Sequence, residues 1–358
     1  MILTELLYPC DEVIMSLIQS LLKKDIVESL YWVWELMYSG KDILYIIHSI
    51  FLDFYAIHTP SMEGVINKNF KKYLSNKNKI HIADIISNLM NATPCIHIYK
   101  IRNNMNYRPT YIYKKKKWIY NFPDIYHPLI LSIKNNNYNN ISYYLNLCCN
   151  EYGSDNTHLN IIKYFKYLND DCNIEDIISY WNNRYKSNDY HTLLSLIISF
   201  INNDYPDFKY NEFTNKELID ELDDNYIFII NNNNYNKLKY RLFSTHITLG
   251  PYKYDRIHYD LNYVYENWFY FIKDTPSWRE RLNKYNIIYD NTISIDDNII
   301  LNENKIELFL EDLDCEFDEQ SLDIKNKSNH DINIIQDYDK WFNDTYNPIH
   351  ISYIISNI

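Results

Sequence analysis

Asp25 and Gly40 bracket the stretch that most restricts how this chain can fold. Between them Ile26, Leu30, Val33, Trp34 and Met37 recur at the spacing of one helix face, and Glu28 follows Asp25 by three residues as in a capping box. Gly40 supplies the left-handed turn at which a side chain with a Cβ would be strained, so the helix ends there. Asp42 then caps a second series, Ile43, Ile46, Ile47, Ile50, Phe51 and Phe54, which Pro60 closes. With residues 11–22 before them, these make three amphipathic helices on very short turns. Helices so joined pack on their neighbours, which starts a bundle or a solenoid.

Helical spacing resumes at 128–147, 159–168, 174–185 and 189–201, as pairs of about 40 residues that suggest a HEAT-like array without a repeated signature. Between Cys95 and Tyr120 the period changes to two: Ile96, Ile98 and Lys100 alternate with His97, Tyr99 and Ile101, and a Tyr-rich run follows the polar turn at 103–106. This predicts a long β-hairpin. Farther on, Thr214 with Glu217 caps a short helix to Leu222. Segments 226–230 and 238–247 read as strands or as further helix. Segment 259–274 is an aromatic helix, and Pro276 opens the next one at its first position. The expected fold is mainly α, a helical bundle or HEAT-like array with a β-hairpin insertion near 95–120 and a less regular α+β carboxy-terminal part. The expected domains are 1–210, helical; 211–300, aromatic-rich; and 301–358, an acidic segment and tail anchored by Trp341.

Composition removes several chemistries. Only four glycines occur, and Gly40, Gly64, Gly153 and Gly250 are too dispersed for a phosphate-cradling loop or a dinucleotide fingerprint. Six cysteines include no C-x-x-C pair, which favours reduced, buried thiols. No H-E-x-x-H, H-x-E with P-C-x-x-C or G-x-S-x-G motif is present. Cys95 and His97 would share a strand face, but no second ligand pair accompanies them. Neither a signal peptide nor a run of 18 apolar residues is found, so a protein of a reducing compartment with no membrane span is expected. No catalytic residue, metal site or cofactor is assigned, and no small-molecule substrate is expected.

Charge is unevenly placed. Net charge is −12, yet residues 100–117 hold seven bases and no acid, whereas 303–323 hold nine acids and one lysine. Lys114, Lys115, Lys116 and Lys117 precede Trp118 among tyrosines, with Arg108 nearby, a mixture of phosphate-neutralising charge and stacking faces that suits nucleic acid. A lysine-bearing edge that blocks strand pairing explains the same run. Tyr31, Leu36 and Met37 fit the loose pattern by which short helices dock on the cap-binding translation-initiation factor, although Trp34 and Met37 also belong to the core face. Trp278, Arg281 and Trp341 complete the candidate partner-binding residues.

Two resemblances add expectations. Residues 16–40 with Asp42, Tyr45 and Ile46 are similar to the helical region after the ATPase module in the RarA/MgsA clamp-loader relatives. That similarity implies helix-pair architecture alone, since no P-loop exists. Leu30, Tyr31, Trp32, Glu35, Leu36, Ser39 and Gly40, then Thr59-Pro60, then Thr275, Pro276, Trp278, Arg281, Leu282 and Tyr285 form an ordered set along the chain. Asp318, Glu319, Gln320, Ser321, Lys327, Ser328 and Trp341 extend it. This order resembles a protein family of giant nucleocytoplasmic large DNA viruses that carries no assigned activity, and the Asn, Ile, Tyr and Lys bias looks like coding from an AT-rich, mimivirus-like genome. The resemblance implies a viral protein of the host cytoplasm, the viral factory or the virion. The expected function is a non-enzymatic interaction scaffold or virion component binding viral or host proteins. The alternative is a nucleic-acid-associated helical adaptor, such as a translation-initiation scaffold or a replication or transcription accessory factor.

Overall fold

The three helices expected at the start form as α1 (Cys10–Lys23), α2 (Ile26–Tyr38) and α3 (Ile43–Phe54) in the computed structural model. It describes residues 3–103, 108–109, 117–168, 209–231, 245–246, 268–285, 287, 303–313, 333–334 and 337–346. Asp25 caps α2 by accepting from Glu28 N at 2.9 Å. The capping box is not reciprocal, because the Glu28 carboxylate instead accepts from Trp32 Nε1 at 3.1 Å. Gly40, at φ +69°, ends α2 in a Schellman turn whose bonds run from Gly40 N to Met37 O and from Lys41 N to Leu36 O, both 3.0 Å. A Cβ at Gly40 would also stand 3.2 Å from the Pro276 ring. Asp42 accepts from Tyr45 N at 3.1 Å and starts α3.

The chain continues through α4 (Met62–Asn76), α5 (Ile80–Asn91), α6 (His97–Asn103), two 3-10 turns η1 (Lys117–Asn121) and η2 (Asp124–Tyr126), α7 (His127–Lys134), α8 (Tyr138–Tyr152) and α9 (Ser154–Leu168). Then come α10 (Lys216–Asn231), α11 (Trp268–Ile272), α12 (Pro276–Lys284), α13 (Glu303–Leu313) and α14 (Tyr338–Thr345). Helices make up 76% of the interpretable residues, so the fold is mainly α. The β content described is one two-residue parallel pairing of β1 (Thr245–His246) with β2 (Asn333–Ile334).

Several local expectations are corrected. The hairpin near 95–120 is absent where the chain is described: 97–103 is helix α6 and 117–121 is η1. The alternation misled because Ile96, Ile98, Tyr99, Lys100 and Ile101 are all buried, and a run apolar on every side fits a buried helix as well as a strand. The helix expected over 128–147 is two, broken where Asn136 adopts φ +50° and Asn137 caps α8 through Asn140 N. Of the two alternatives for 226–230, strand or further helix, it is helix, the end of α10, whose cap is Asn215 and not Thr214, accepting from Leu218 N at 3.0 Å. The first acidic residues after 302 form helix α13. The helices expected at 174–185 and 189–201 lie outside the described residues.

Contacts divide the chain into two compact units. One comprises Met1–His48, Ile66–Asn91 and Asn211–Ile358; the other comprises Ser49–Val65 and Ala92–Tyr210. This grouping cuts across the sequential division at 210, for a traceable reason. In the first unit α5 receives the chain as it arrives from 210: Asp84 accepts from Phe213 N at 2.8 Å and from Asn69 Nδ2 at 2.8 Å. Asn88 accepts from Asn211 N at 3.0 Å and donates to Asn211 O at 2.7 Å. There α1 packs on α2, both pack on α5, and α10 lies on α2 and α5. Non-adjacent helices thus close a bundle. Trp32, Trp34 and Trp278 are fully buried, each such ring contributing about 1.5–3 kcal/mol of burial.

In the second unit α8 is central and packs on α6, α7 and α9. Phe54 stacks on Tyr99 at 5.1 Å, and Arg102 of α6 forms an ion pair with the fully buried Asp53 of α3.

Candidate functional site

Two clusters of side chains stand apart from ordinary core packing, one in each unit. In the first unit the cluster begins at Glu35 on the inner face of α2, which is completely buried. Its Oε1 accepts from Leu6 N at 2.9 Å, and its Oε2 accepts the Tyr226 hydroxyl of α10. Burial pushes the Glu35 carboxyl up to about 8 against the opposing pull of hydrogen bonds from Thr4 and Leu6, with the Glu5 carboxylate nearby adding to the rise. Glu5, also buried, accepts from Ser277 Oγ, and its carbonyl accepts from Trp278 Nε1 at 2.8 Å.

Tyr226 also stacks on Tyr38, with centroids 4.7 Å apart and planes 7° from parallel. The Tyr38 hydroxyl donates to Asp223 Oδ1 at 2.5 Å, and Lys79 Nζ donates to the same hydroxyl at 2.8 Å while pairing with Asp223. Lys79 lies 4.4 Å from the Tyr38 ring centroid and 5.6 Å from that of Trp34. Burial, then the bond to Asp223, raises the Tyr38 hydroxyl's pKa, which makes it a poorer acid. Glu35, Tyr226, Tyr38, Asp223 and Lys79 thus form one linked chain of groups within their own unit. Chemically the cluster is a latch that fastens α10 to α2 and α5.

The second cluster is exposed. On α9 the outward residues Asn156, Leu159, Lys163, Lys166 and Tyr167 follow helical spacing and form one stripe. Lys163 Nζ donates to Asn121 O at 3.1 Å, which ties that stripe to η1. Within η1, Lys117 and Tyr120 are three apart, so in a 3-10 turn they project together. Trp118 stacks against Tyr164 at 5.9 Å and Tyr167 at 6.1 Å, and Lys134 Nζ sits 4.6 Å from its ring centroid. Tyr120 and Tyr167 remain 62% and 51% exposed.

The residues singled out in the sequence fall unevenly on these clusters. Lys117 is exposed on the second, and Trp118 is half-buried with its ring already against protein groups, so it supports the face and does not offer a free stacking surface. Arg108 is exposed; Lys114, Lys115 and Lys116 lie outside the described residues. Tyr31 and Leu36 are buried and Met37 is half-buried, so the α2 docking pattern is spent inside its own unit. Trp278 is buried with its N–H bonded to Glu5 O. Trp341 is buried on α14, as an anchor would be. Arg281 lies 5.0 Å from the Trp278 ring centroid and donates to Ile230 O at 2.8 Å, which makes it a brace between α12 and α10. These corrections share one cause: large aromatic side chains that suit an interface suit a core equally well.

Tyr226, Lys163, Lys166 and Tyr167 were not singled out in the sequence, and Glu35 entered only as part of the ordered set behind the viral resemblance. The α9 stripe was readable in principle from its spacing, whereas the Glu35–Tyr226 pair spans too many residues for any local signal. Among the described residues, no group of three or more His, Cys, Asp and Glu side chains could hold a metal ion. Cys10, Cys95, Cys148 and Cys149 are free and buried, and burial holds the Cys95 and Cys148 thiols up to about 12, far from a reactive thiolate. No described helix is long and apolar enough to cross a membrane. No protein-family model, curated protein or solved structure matches the chain.

Proposed function

We propose that the chain is a non-enzymatic helical interaction protein, a scaffold or adaptor whose activity is contact, and that the η1/α9 face of the second unit is its working surface. The observation that carries this reading is where the aromatic side chains go. Tyr31, Trp278 and Trp341 are consumed in the first unit's interior, while Tyr167 stays on the outer stripe of α9 with Leu159 and Tyr120 stays exposed on η1. Glu35, whose carboxyl burial pushes up strongly, is closed inside a latch with both oxygens engaged, which favours a structural use over acid–base chemistry. The resemblance to a giant-virus family supports placing such a scaffold in a viral factory or a virion, with viral or host proteins among its partners.

The test is affinity capture of the tagged full chain from giant-virus-infected cells, beside a Tyr120→Ala/Tyr167→Ala variant. A discrete partner retained by the wild type and lost by the variant is expected. Identical profiles for the two proteins, or a turnover activity that Glu35→Gln abolishes, would overturn the reading.

A further inference from the structure

We propose that the η1/α9 face binds single-stranded nucleic acid, with Lys117, Lys134, Lys163 and Lys166 meeting phosphates and Tyr120 and Tyr167 meeting bases. The inference rests on reading this face as the working surface and adds the chemical class of what occupies it. Three observations carry it. First, the lysines converge: Lys163 reaches η1 through Asn121 O, and Lys134 reaches the same region over Trp118, so bases from α7, α9 and η1 share one face. Second, α9 supplies a single acid, Asp155, against two lysines, Lys163 and Lys166. A chain of net charge −12 has gathered positive charge here against its overall sign.

Third, the exposed rings are of the kind and placement that bases need. Tyr120 stands three residues from Lys117 in the 3-10 turn, and Tyr167 stands four residues from Lys163 on α9, so each exposed ring shares its helical face with a lysine. Lysines alone would take any polyanion; an aromatic face next to each charge favours a ligand that carries its own π-faces. Trp118 holds the arrangement by packing on Tyr167 and receiving Lys134, a supporting role. From Asn156 to Tyr167 the stripe runs roughly 16 Å, near the lower limit of single-strand sites of about four nucleotides. A duplex is disfavoured because its bases present no free faces.

The experiment is fluorescence anisotropy of a labelled oligothymidylate and an oligouridylate with the full chain across a range of salt. Saturable binding is expected, with a log–log salt slope that falls by roughly three when Lys117, Lys134, Lys163 and Lys166 all become Gln. Lys117→Gln/Lys166→Gln removes two of the four charges while leaving the Lys134 and Lys163 contacts in place, and should lower the slope by about half as much. Tyr120→Ala/Tyr167→Ala should raise Kd by roughly thirtyfold or more with the slope unchanged. Lys71→Gln/Lys72→Gln, on exposed α4 of the other unit, should change nothing.

The inference is overturned by the absence of saturable binding at low salt in a protein that melts cooperatively, or by binding that the η1/α9 variants leave intact. Equal competition by polyglutamate of matched charge would also overturn it, and would assign the face to an acidic protein. If the oligonucleotides fail while capture from infected cells still depends on Tyr120 and Tyr167, only the nucleic-acid assignment falls. If neither depends on them, both readings fall.

Discussion

Tyr164 and Tyr226 are both buried, and the same substitution should act on them with opposite sign. The Tyr226 hydroxyl donates to Glu35 inside the first unit, whereas the buried Tyr164 hydroxyl has no hydrogen-bond partner among the described residues. A buried hydroxyl without a partner has lost its water for nothing, so Tyr164→Phe should raise stability by about 1 kcal/mol. Tyr226→Phe strips a donor from a buried carboxyl and should cost about 1–2 kcal/mol. Urea unfolding of the two variants separates the cases, and equal signs would contradict the assignment. Glu35 itself predicts a pH dependence. Its folded pKa of about 8 lies above the ordinary 4.5, so the folded chain holds this proton more tightly than the unfolded chain does. The stability it contributes is therefore complete below about 4.5 and is lost as pH rises through about 8. Glu35→Gln keeps a neutral group in place and should flatten the fall in urea midpoint between pH 5 and 8 relative to wild type, whatever the histidines add to both.

At the scale of single elements, legibility followed how locally each one is determined. Helix α2 was readable almost to the residue, since its cap, its apolar face and its Gly40 stop all lie within one short stretch. Helix α6 was read as a strand because its side chains are buried on all sides, and period is informative only where one face meets water. The end of α10 stayed ambiguous for a related reason: Tyr226 to Ile230 is rich in β-branched and aromatic residues, which suit a strand, yet it continues a helix started by Asn215, with Ile219, Leu222 and Tyr226 on the inner face. The pairing of α6 with α3 rests on Arg102 and Asp53, the latter fully buried. Arg102→Ala removes the cation against which that carboxylate is held and should cost on the order of 3 kcal/mol, well above the effect of an exposed pair. Chemical denaturation would show it as a lower midpoint. A loss under 1 kcal/mol would mean that Asp53's other contacts carry the charge.

On the scale of the whole molecule, the grouping of distant segments governs what can be removed. A chain ending at 210 keeps α1 to α9 but loses Tyr226 from Glu35, Trp278 from Glu5, and the backbone at 211–213 from Asp84 and Asn88. Such a truncation should leave α1, α2 and α5 poorly protected in hydrogen exchange, despite its intact sequence across them. Wild-type protection in the truncated chain would refute the grouping. By itself the sequence determined that the chain is mainly helical, where its first helices start and stop, and that its four glycines form no glycine-rich loop. These follow from caps, apolar period and glycine placement, which act over a few residues. Only the tertiary structure decided which aromatic side chains are core and which are surface, because burial depends on partners brought in from far along the chain. Tyr31 and Trp278 went inward, Tyr120 and Tyr167 stayed outside, and lysines of α7 and α9 reach η1 through Trp118 and Asn121, so the candidate site exists only through contacts between separate elements.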